Sequence, residues 1–359
     1  MSSSTSSSEA NRSYTRWVLA LAFVPGLLLF IYGIFLQPLY GDLTRIGLFS
    51  EHEFGWHGTQ ESFKEAAYVQ DSYKQHADVV VLGDSFSRAW PRQQWQNHLI
   101  AQTGWSVVTL DINAVSVDQI LANPVFQASP PKVLIVESVE RYFADRVGKM
   151  PACVPANTQS AARMMPALAT EPLHPRELPS SAMPRPQQWN DVKLEFVWKY
   201  VRNQWRMARG GEPRADVGKL ALQRSGLFSS ANQRDVLIYR EDFDTRKKWA
   251  ALPMSDMSCR IQQLRDKVER KGQTRFVLMV APDKLAAYGP ELQDTQWAHA
   301  SQLPELAALN PQTMPRLDLA MRQAIERGQP DVYLPDDTHW GSEGHKLAAS
   351  TMLTFLRQH

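Results

Sequence analysis

Three residues have the types and neighbouring sequences that predict a catalytic site. They are a serine in the first third of the chain and an aspartate and a histidine close to its C-terminus. Ser85 ends the tripeptide Gly-Asp-Ser, directly after the mostly apolar residues 77–82. Asp337 and His339 lie in the sequence Pro-Asp-Asp-Thr-His-Trp, again after an apolar run. A serine hydroxyl becomes a nucleophile when an imidazole takes its proton, and the imidazole needs a carboxylate to fix its tautomer and stabilise its cation. The two segments together therefore predict an acyl-transfer site.

Each segment also has a plain structural interpretation. The Gly-Asp-Ser turn could simply cap a helix that begins there. Asp337 could cap the helix that begins near Ser342, with His339 a surface residue. Each segment, however, follows a predicted strand, the first strand in one case and the last in the other. Because such strands end at the same edge of a parallel sheet, the catalytic interpretation is favoured.

Short apolar runs alternate with helical patterns along most of the chain, and these elements must position the chemical residues. The runs are mostly apolar along their whole length, which is typical of parallel strands covered on both faces. This βαβ succession predicts an α/β fold with a three-layer, doubly wound sheet of about five parallel strands, whose active crevice lies at their carboxyl ends. The strands are predicted at residues 77–82, 105–110, 132–136, 275–280 and 331–334, and the helices at residues 62–75, 93–103, 117–121, 257–271 and 342–357.

The middle of the chain does not show this alternation of strand and helix patterns. Residues 148–186 are rich in Pro, Ala, Met and Ser and are predicted to form a long loop or insertion. Residues 189–209 follow, with Trp198 and Trp205 among apolar residues at helical spacing, which favours a helix packed on the core over a carbohydrate platform. The basic residues of this segment are most simply its solvated face, and contact with phospholipid or an acidic polymer is the alternative.

An apolar segment near the N-terminus predicts a membrane anchor. Residues 17–36 carry no charge and, at about 1.5 Å per residue, reach the roughly 30 Å of a hydrocarbon core. A cleaved signal peptide is the alternative, but the run is long for one and no small-residue cleavage site follows it. Arg12 and Arg16 precede the segment, so the positive-inside bias places residues 1–16 in the cytoplasm and the rest of the chain in the periplasm. We therefore expect a single-pass protein of the inner membrane.

Charge and cysteine content exclude some classes of function and site. The chain has 39 basic and 37 acidic residues among 359, a formal net charge of +2, which gives no basis for nucleic-acid binding. Cys153 and Cys259 lack the spacing of a zinc site, and we expect neither a metal nor a cofactor. Outside the cytoplasm, two lone cysteines favour a disulfide over two free thiols. After the anchor, the signals predict a linker and first helix at residues 37–76 and a catalytic domain at residues 77–359, with an insertion at about 148–250.

Two motifs resemble a known superfamily. Gly-Asp-Ser-Phe-Ser at residues 83–87 and the Asp-Asp-Thr-His-Trp segment at residues 336–340 resemble the first and last blocks of the SGNH (GDSL-type) hydrolases and acyltransferases. The Asp-Thr-His-Trp tetrad, Glu-Ser-Val-Glu-Arg at residues 137–141 and Pro-Asp-Lys at residues 282–284 are similar to the periplasmic alginate O-acetyltransferases and their cellulose-acetylating relatives. The resemblance covers most of residues 78–359 apart from the insertion.

The resemblance implies roles for individual residues. Ser85 matches the nucleophile and His339 the general base. The Asp-x-His spacing of the alginate enzymes selects Asp337 as the carboxylate, whereas the Asp-x-x-His spacing of ordinary SGNH esterases selects Asp336. We favour Asp337 because Trp340 follows the histidine, as in the alginate branch.

The superfamily's Gly-x-Asn-Asp block is absent after the third strand, so the donors of the oxyanion hole must come from elsewhere. The backbone N–H of Ser85 and the side-chain amide of Asn113 are the candidates, although an asparagine in a turn after a strand is more often structural. Trp340 could stack on a pyranose ring of the substrate, or it could wedge the histidine's loop in place. Both interpretations remain open at the level of the sequence.

The resemblance implies a membrane-anchored periplasmic O-acetyltransferase that moves acetyl groups onto exopolysaccharide hydroxyls through an acetyl-serine intermediate. It implies three associations: a polysaccharide acceptor, a membrane-bound acyl carrier of the MBOAT type and a polysaccharide synthase complex. A carbohydrate esterase or deacetylase with the same triad is the first alternative, and acceptor sugar distinguishes the two by shifting product from free acetate to ester. A non-catalytic polysaccharide-assembly protein of the envelope is the second alternative.

Overall fold

The computed structural model describes residues 6–35, 40–64, 68–154, 168, 171–183, 194–211 and 216–358. The strands of these residues are β1 (Glu61–Phe63), β2 (Val79–Gly83), β3 (Val107–Asp111), β4 (Val133–Val139), β5 (Ser180–Ala182), β6 (Val217–Ala221), β7 (Asp235–Tyr239) and β8 (Arg275–Ala281). The helices are α1 (Ser6–Phe35), α2 (Asp42–Gly47), α3 (Glu51–Phe54), α4 (Ser85–Arg88), α5 (Trp95–Thr103), α6 (Val117–Leu121), α7 (Pro124–Ala128), α8 (Glu140–Gly148), α9 (Leu194–Ala208), α10 (Arg240–Trp249), α11 (Met254–Glu269), α12 (Lys284–Tyr288), α13 (Leu303–Leu309), α14 (Leu317–Glu326) and α15 (Ser342–Gln358).

A parallel sheet with the strand order β3-β2-β4-β8 carries the site. Its strands are the first four that the sequence predicts. Val79 and Val81 of β2 point into one apolar core, and Val80 and Leu82 point into a second. Both faces of the sheet are therefore buried, which explains why the strands are apolar at successive positions rather than at alternate ones.

The predicted fifth strand, at residues 331–334, is wrong. Within the described residues this segment does not join the sheet, and Tyr333 makes only an isolated antiparallel bridge to Trp340. Asp331 has a φ of 52°, a left-handed conformation that interrupts the extended backbone a strand requires. The segment is a buried loop that leads into the histidine motif.

The predicted helix at residues 62–75 is also wrong. Its first residues form β1, which pairs antiparallel with β5. Further along, the N–H of Thr109 in β3 donates to Tyr68 O, and Gln70 N–H donates to Thr109 O, at 2.6 and 3.0 Å. The exposed edge of β3 thus holds this segment extended, because an edge strand offers unpaired backbone groups. Among the described residues between α1 and the sheet, the helices are the short α2 and α3.

The chain between α8 and α11 forms further elements outside this sheet. β6 and β7 form an antiparallel pair, and α9 is the helix predicted within residues 189–209. The predicted packing of its tryptophan stripe on the core is wrong, because Trp198 and Trp205 are 53 and 57% exposed. Much of the predicted loop at 148–186 lies outside the described residues, and its described part is irregular apart from β5. A disulfide joins Cys153, after α8, to Cys259 in α11, across a sequence separation of 106 residues.

Helix α1 contains the predicted anchor. Its stretch Asn11–Ile34 has a mean hydropathy of 2.3, and none of it is buried against the rest of the chain. Length and composition are sufficient to cross a membrane, and a signal sequence near the N-terminus would have the same two properties.

Candidate active site

The side chains of Ser85, His339 and Asp337 form a hydrogen-bonded row at the carboxyl edge of the sheet. His339 Nε2 lies 2.8 Å from Ser85 Oγ, and His339 Nδ1 lies 2.6 Å from Asp337 Oδ1. The imidazole and the carboxylate are buried, whereas Ser85 is exposed. With the proton on Nδ1, the imidazole donates to Asp337 and leaves Nε2 free to accept from the serine hydroxyl. This is the arrangement in which an imidazole can act as general base toward a serine.

The turn from β2 into α4 exposes the serine. Asp84 is the N-cap residue of α4, and its Oδ1 accepts from Phe86 N–H at 3.2 Å. At Gly83 a Cβ atom would lie 2.8 Å from Glu137 Oε2, so a larger residue there would push this buried carboxyl aside. The strand end and the cap together place Ser85 at the first position of the helix, facing solvent.

A buried polar cluster supports this turn from below. Asp84 Oδ2 accepts from Val139 N–H at 2.9 Å and from Arg146 Nη1 at 2.5 Å. The backbone N–H of Asp84 donates to Glu137 Oε2 at 2.9 Å. Burial, and then the charge of Asp84, raise the pKa of Glu137 well above its usual value, which favours the protonated form of this carboxyl. An acidic residue inside an otherwise apolar strand was the sequence signal for this cluster.

Asp337 is held in its ionised form. Burial alone would raise its pKa, but the charge and hydrogen bonds of His339 lower that pKa to about 2. Two backbone N–H groups add to this effect: His339 N–H donates to Oδ1 and Asp42 N–H donates to Oδ2, both at 2.9 Å. A carboxylate that accepts several such bonds is stable as an anion at neutral pH.

The N-terminal segment of residues 40–54, here called the clamp, holds the loop of residues 334–339, here called the histidine loop. Besides the bond from Asp42 to Asp337, two N–H groups of α2 donate to Asp336 O, at 2.9 and 3.3 Å. A Cβ at Gly41 would lie 2.1 Å from Asp336 O. Glycine is therefore required at position 41 for the clamp to approach this closely.

The carboxyl group of Asp336 faces the clamp rather than the imidazole. Burial and the neighbouring Glu51 raise the pKa of Asp336 well above its usual value, and the two carboxyl groups hydrogen-bond. Glu51 Oε1 in turn accepts from two backbone N–H groups, at 2.7 and 2.9 Å, and from the Thr44 hydroxyl. Asp336 thus supports the histidine loop, and Asp337 is the carboxylate in contact with His339.

Lys284 holds the same loop from the core side. Its ammonium donates to the carbonyl oxygens of Leu334, Pro335 and Asp337 at 2.7, 3.0 and 3.1 Å. These are as many acceptors as an ammonium has N–H donors. Burial lowers the pKa of this fully buried lysine to about 7, although nearby carboxyl groups oppose the shift. In the sequence Lys284 is recognisable only as part of the Pro-Asp-Lys motif, and no pattern predicted this contact.

The tryptophan that is accessible to a substrate at the site is Trp90 rather than Trp340. Trp340 is 1% exposed and packs edge-on against Phe86 at 5.0 Å, so stacking of a sugar on it is ruled out and the wedge interpretation holds. The half-buried ring of Trp90 lies 5.5 Å from the His339 ring. Tyr40 of the clamp stacks against Trp90 at 6.5 Å. Sequence reasoning missed Trp90, although it follows the nucleophile motif closely.

Asn113 is engaged in the turn after β3. Its Nδ2 and backbone N–H both donate to Asp111 Oδ1, at 3.1 and 2.9 Å, and its Oδ1 accepts from Arg146 at 3.4 Å. The amide that was a candidate oxyanion donor is therefore used within its own turn, and the structural interpretation is the better one. The backbone N–H of Ser85 stays the candidate donor.

Among the described residues, Asp42, Asp337 and His339 form a group that could hold a metal ion, with ligand atoms within 4.8 Å of one another. Two of the three are already paired, because His339 directs one ring nitrogen to Asp337 and the other to Ser85. Asp42 directs its carboxylate to Arg45. These hydrogen bonds suit a proton relay better than a set of metal ligands.

The fold and the site define an α/β protein with a serine–histidine–aspartate row suited to acyl transfer. Residues 233–359 match the family model described as "SGNH hydrolase-like domain, acetyltransferase AlgX". The matched part includes Asp337 and His339, and Ser85 precedes it. The match confirms the resemblance to the SGNH superfamily and to its alginate-acetylating branch. Comparisons with curated proteins and with solved structures found no match.

Proposed function

We propose that this protein is a membrane-anchored periplasmic O-acetyltransferase that transfers acetyl groups to the hydroxyls of an exopolysaccharide. The observation that carries the proposal is the row of hydrogen bonds from Ser85 through His339 to Asp337. The match to an AlgX acetyltransferase domain supports acetyl as the transferred group. The exposure of Ser85 supports access for both a donor and a large acceptor.

In the first half-reaction, Ser85 Oγ attacks the carbonyl carbon of an acetyl donor while His339 Nε2 takes the hydroxyl proton. Asp337 stabilises the imidazolium, and the Ser85 N–H faces the developing oxyanion. Collapse of the tetrahedral intermediate breaks the bond to the leaving group, which receives the proton from His339. In the second half-reaction, His339 takes the proton of a sugar hydroxyl, and that oxygen attacks the acetyl-serine. The ester passes to the sugar, and the proton returns to Ser85.

The acceptor hydroxyl must react faster than water for transfer to prevail over hydrolysis. A sugar bound next to the acetyl-serine gains from positioning, an effect that can be worth several kcal/mol. Trp90 supplies a partly exposed aromatic surface next to His339. Sugar rings pack their apolar faces on such surfaces, so Trp90 is the residue that we assign to acceptor binding.

Helix α1 supports the proposed location. An uncharged stretch of sufficient length and the arginines before it support an inner-membrane anchor with the sheet domain in the periplasm. There the protein would receive acetyl groups from an MBOAT-type membrane acyl carrier and act beside a polysaccharide synthase complex. The chain needs no cofactor of its own for these steps.

The test is the variant Ser85→Ala with an activated acetyl ester as donor and an oligosaccharide as acceptor. We expect loss of the acetyl-enzyme, seen by mass spectrometry, and a fall in transfer rate of about 10³-fold or more. Ser350→Ala, which removes an exposed hydroxyl on α15, is the control and should transfer normally. Retained transfer by the Ser85 variant would remove this serine from the mechanism. Acceptor sugar that leaves acetate release by the wild type unchanged would identify an esterase.

A further inference from the structure

Helix α9 presents an exposed apolar stripe. Leu194, Trp198 and Trp205 are 45, 53 and 57% exposed. At about 100° per residue, their positions fall within about 40° of one another around the helix axis. Single exposed apolar residues are normal on a protein surface, but two tryptophans and a leucine on one face of a 15-residue helix form a patch.

Basic side chains border this stripe. Arg202 and Arg206 are exposed, and the guanidinium of Arg209, just after α9, lies 3.5 Å from the Trp205 ring centroid. The one acidic residue of α9, Glu195, pairs with Lys199 at 2.6 Å. Tryptophan and arginine on one face of an amphipathic helix are typical of helices that lie in the interface of a membrane.

The opposite face of α9 is fixed to the protein. Val197, Tyr200 and Asn203 are buried. Asn203 Nδ2 donates to the carbonyl oxygens of Gly47 and Leu48 at 3.2 and 3.3 Å. Because these contacts set the rotation of the helix about its axis, the tryptophan stripe points outward.

The position of α9 links it to the anchor. Helix α1 contacts α9. Tyr32, near the carboxyl end of the stretch Asn11–Ile34, is close enough to Tyr200 to add to the rise in its pKa, for which burial is the larger cause. A helix beside the exit end of a membrane-spanning segment lies at the level of the lipid headgroups.

We propose that the outward face of α9 lies on the anionic headgroup layer of the bilayer that α1 crosses. Trp198 and Trp205 enter the interface, and Arg202 and Arg206 meet lipid phosphates. The inference rests on the proposed anchoring by α1 and specifies which face of the domain meets the membrane. Because α9 also holds the end of α2, the lipid contact bears on the segment that supports the triad.

The experiment uses the full chain in vesicles of phosphatidylcholine with or without phosphatidylglycerol, each doped with a lipid that carries a photoactivatable group near the headgroup. Mass spectrometry of peptides from residues 194–209 reports labelling of α9. We expect labelling at least about fivefold stronger with phosphatidylglycerol. Arg202→Glu with Arg206→Glu should abolish that difference, and Trp198→Ser with Trp205→Ser should reduce labelling in both vesicles.

The control reverses two exposed charges elsewhere, Arg246→Glu with Lys247→Glu in α10, and should label as the wild type does. Circular dichroism of every variant in the same vesicles verifies folding. Absent or lipid-independent labelling of α9 in the wild type overturns the inference, as does crosslinking of this face to another protein instead of lipid. Extraction of the chain from vesicles by alkaline carbonate instead contradicts the anchor, so the two proposals fail by different readouts.

Discussion

His339 contacts two aromatic rings that differ in exposure to solvent. The Phe86 ring, 4.9 Å away, is completely buried, whereas the Trp90 ring, 5.5 Å away, is half-buried. Trp90 has a φ of 46°, in the left-handed region that residues with a Cβ rarely adopt. Such conformations cost of order 1 kcal/mol or more and persist where surrounding contacts enforce them, which is common at functional sites. The strained backbone therefore supports a role of Trp90 in the reaction.

Trp90→Ala should weaken acceptor binding more than the acylation step. We expect the KM for an oligosaccharide acceptor to rise about tenfold, equivalent to about 1.4 kcal/mol, because the sugar loses its aromatic surface. Steady-state kinetics with varied acceptor at fixed donor measure this change. Trp90→Phe keeps a ring and should restore most of the affinity. An equal loss of acceptor-free ester hydrolysis would instead identify Trp90 as a structural support of His339.

Asp336 makes stability depend on pH. Its pKa is raised in the folded state above the usual value of about 3.9, so the folded protein binds a proton that the unfolded chain has released. This contribution is fully present below about pH 4 and is lost as pH rises toward the folded pKa. Asp336→Asn keeps a hydrogen-bond donor for Glu51 but does not titrate.

Thermal unfolding of wild type and Asp336→Asn at several pH values between about 4 and 9 checks the sign. We expect similar Tm values near pH 4 and an increasing advantage of the variant as pH rises. Asp244→Asn, on the exposed side of α10, is the control and should follow the wild type. Parallel curves for wild type and Asp336→Asn would show that Asp336 is ionised in the folded protein.

At the scale of elements, the histidine loop is held between two short helices. Lys284, at the start of α12, donates hydrogen bonds to three carbonyl oxygens of the histidine loop from the core side. Helix α2 of the clamp donates backbone N–H groups to Asp336 and Asp337 from the other side. Leaving a buried polar group without its hydrogen-bond partner costs about 1–3 kcal/mol of stability. Each helix therefore has a measurable influence on the loop.

The bond from Asp42 N–H to Asp337 Oδ2 can be removed without deleting the clamp. Asp42 is the first residue of α2, a position where proline is well tolerated because its N–H has no partner within the helix. Asp42→Pro should therefore fold, leave Asp337 less well held, and lower kcat about three- to tenfold.

Asp42→Ala is the matched control, because it removes the carboxylate that faces Arg45 but keeps the backbone N–H. Single-turnover acetylation of Ser85 by an activated ester compares the two variants. Equal rates for Asp42→Pro and Asp42→Ala would show that this hydrogen bond does not position Asp337.

The parts that could be predicted from the sequence are those with a local pattern. Apolar runs predicted the four sheet strands. The meeting of Ser85 with His339, 254 positions apart, was predicted from the polar residues that follow two apolar runs, although the second run is a buried loop rather than a strand. Residues 331–334 had the same apolar pattern, but a left-handed Asp331 prevents pairing, and no pattern reveals such a backbone angle. The contact between Asp42 and Asp337 joins residues 295 positions apart and leaves no periodic signal. The clamp could therefore be recognised only in the structure.

At the scale of the whole molecule, the membrane segment and the site are close neighbours in the chain. Helix α1 ends at Phe35, and the clamp begins at Tyr40 with the first N–H that reaches Glu51. Helix α9 packs on the end of α2 and, in our proposal, on the lipid surface. In our proposal the anchor keeps the domain near its partners, whereas the clamp supports the triad.

A chain that begins at Pro38 separates these two roles, because it lacks α1 but keeps the whole clamp. We expect acetyl-enzyme formation from a soluble activated ester within about twofold of the full chain, since every described contact of the triad is retained. Acetylation of polymer in membranes that carry the acyl carrier should fall at least about a hundredfold. The reason is that a chain without α1 is no longer concentrated at the membrane next to the carrier. Rates in both assays, measured at equal protein concentration, test this division. Full polymer acetylation by the shortened chain would show that α1 is dispensable, and loss of both activities would show that α1 itself supports the triad.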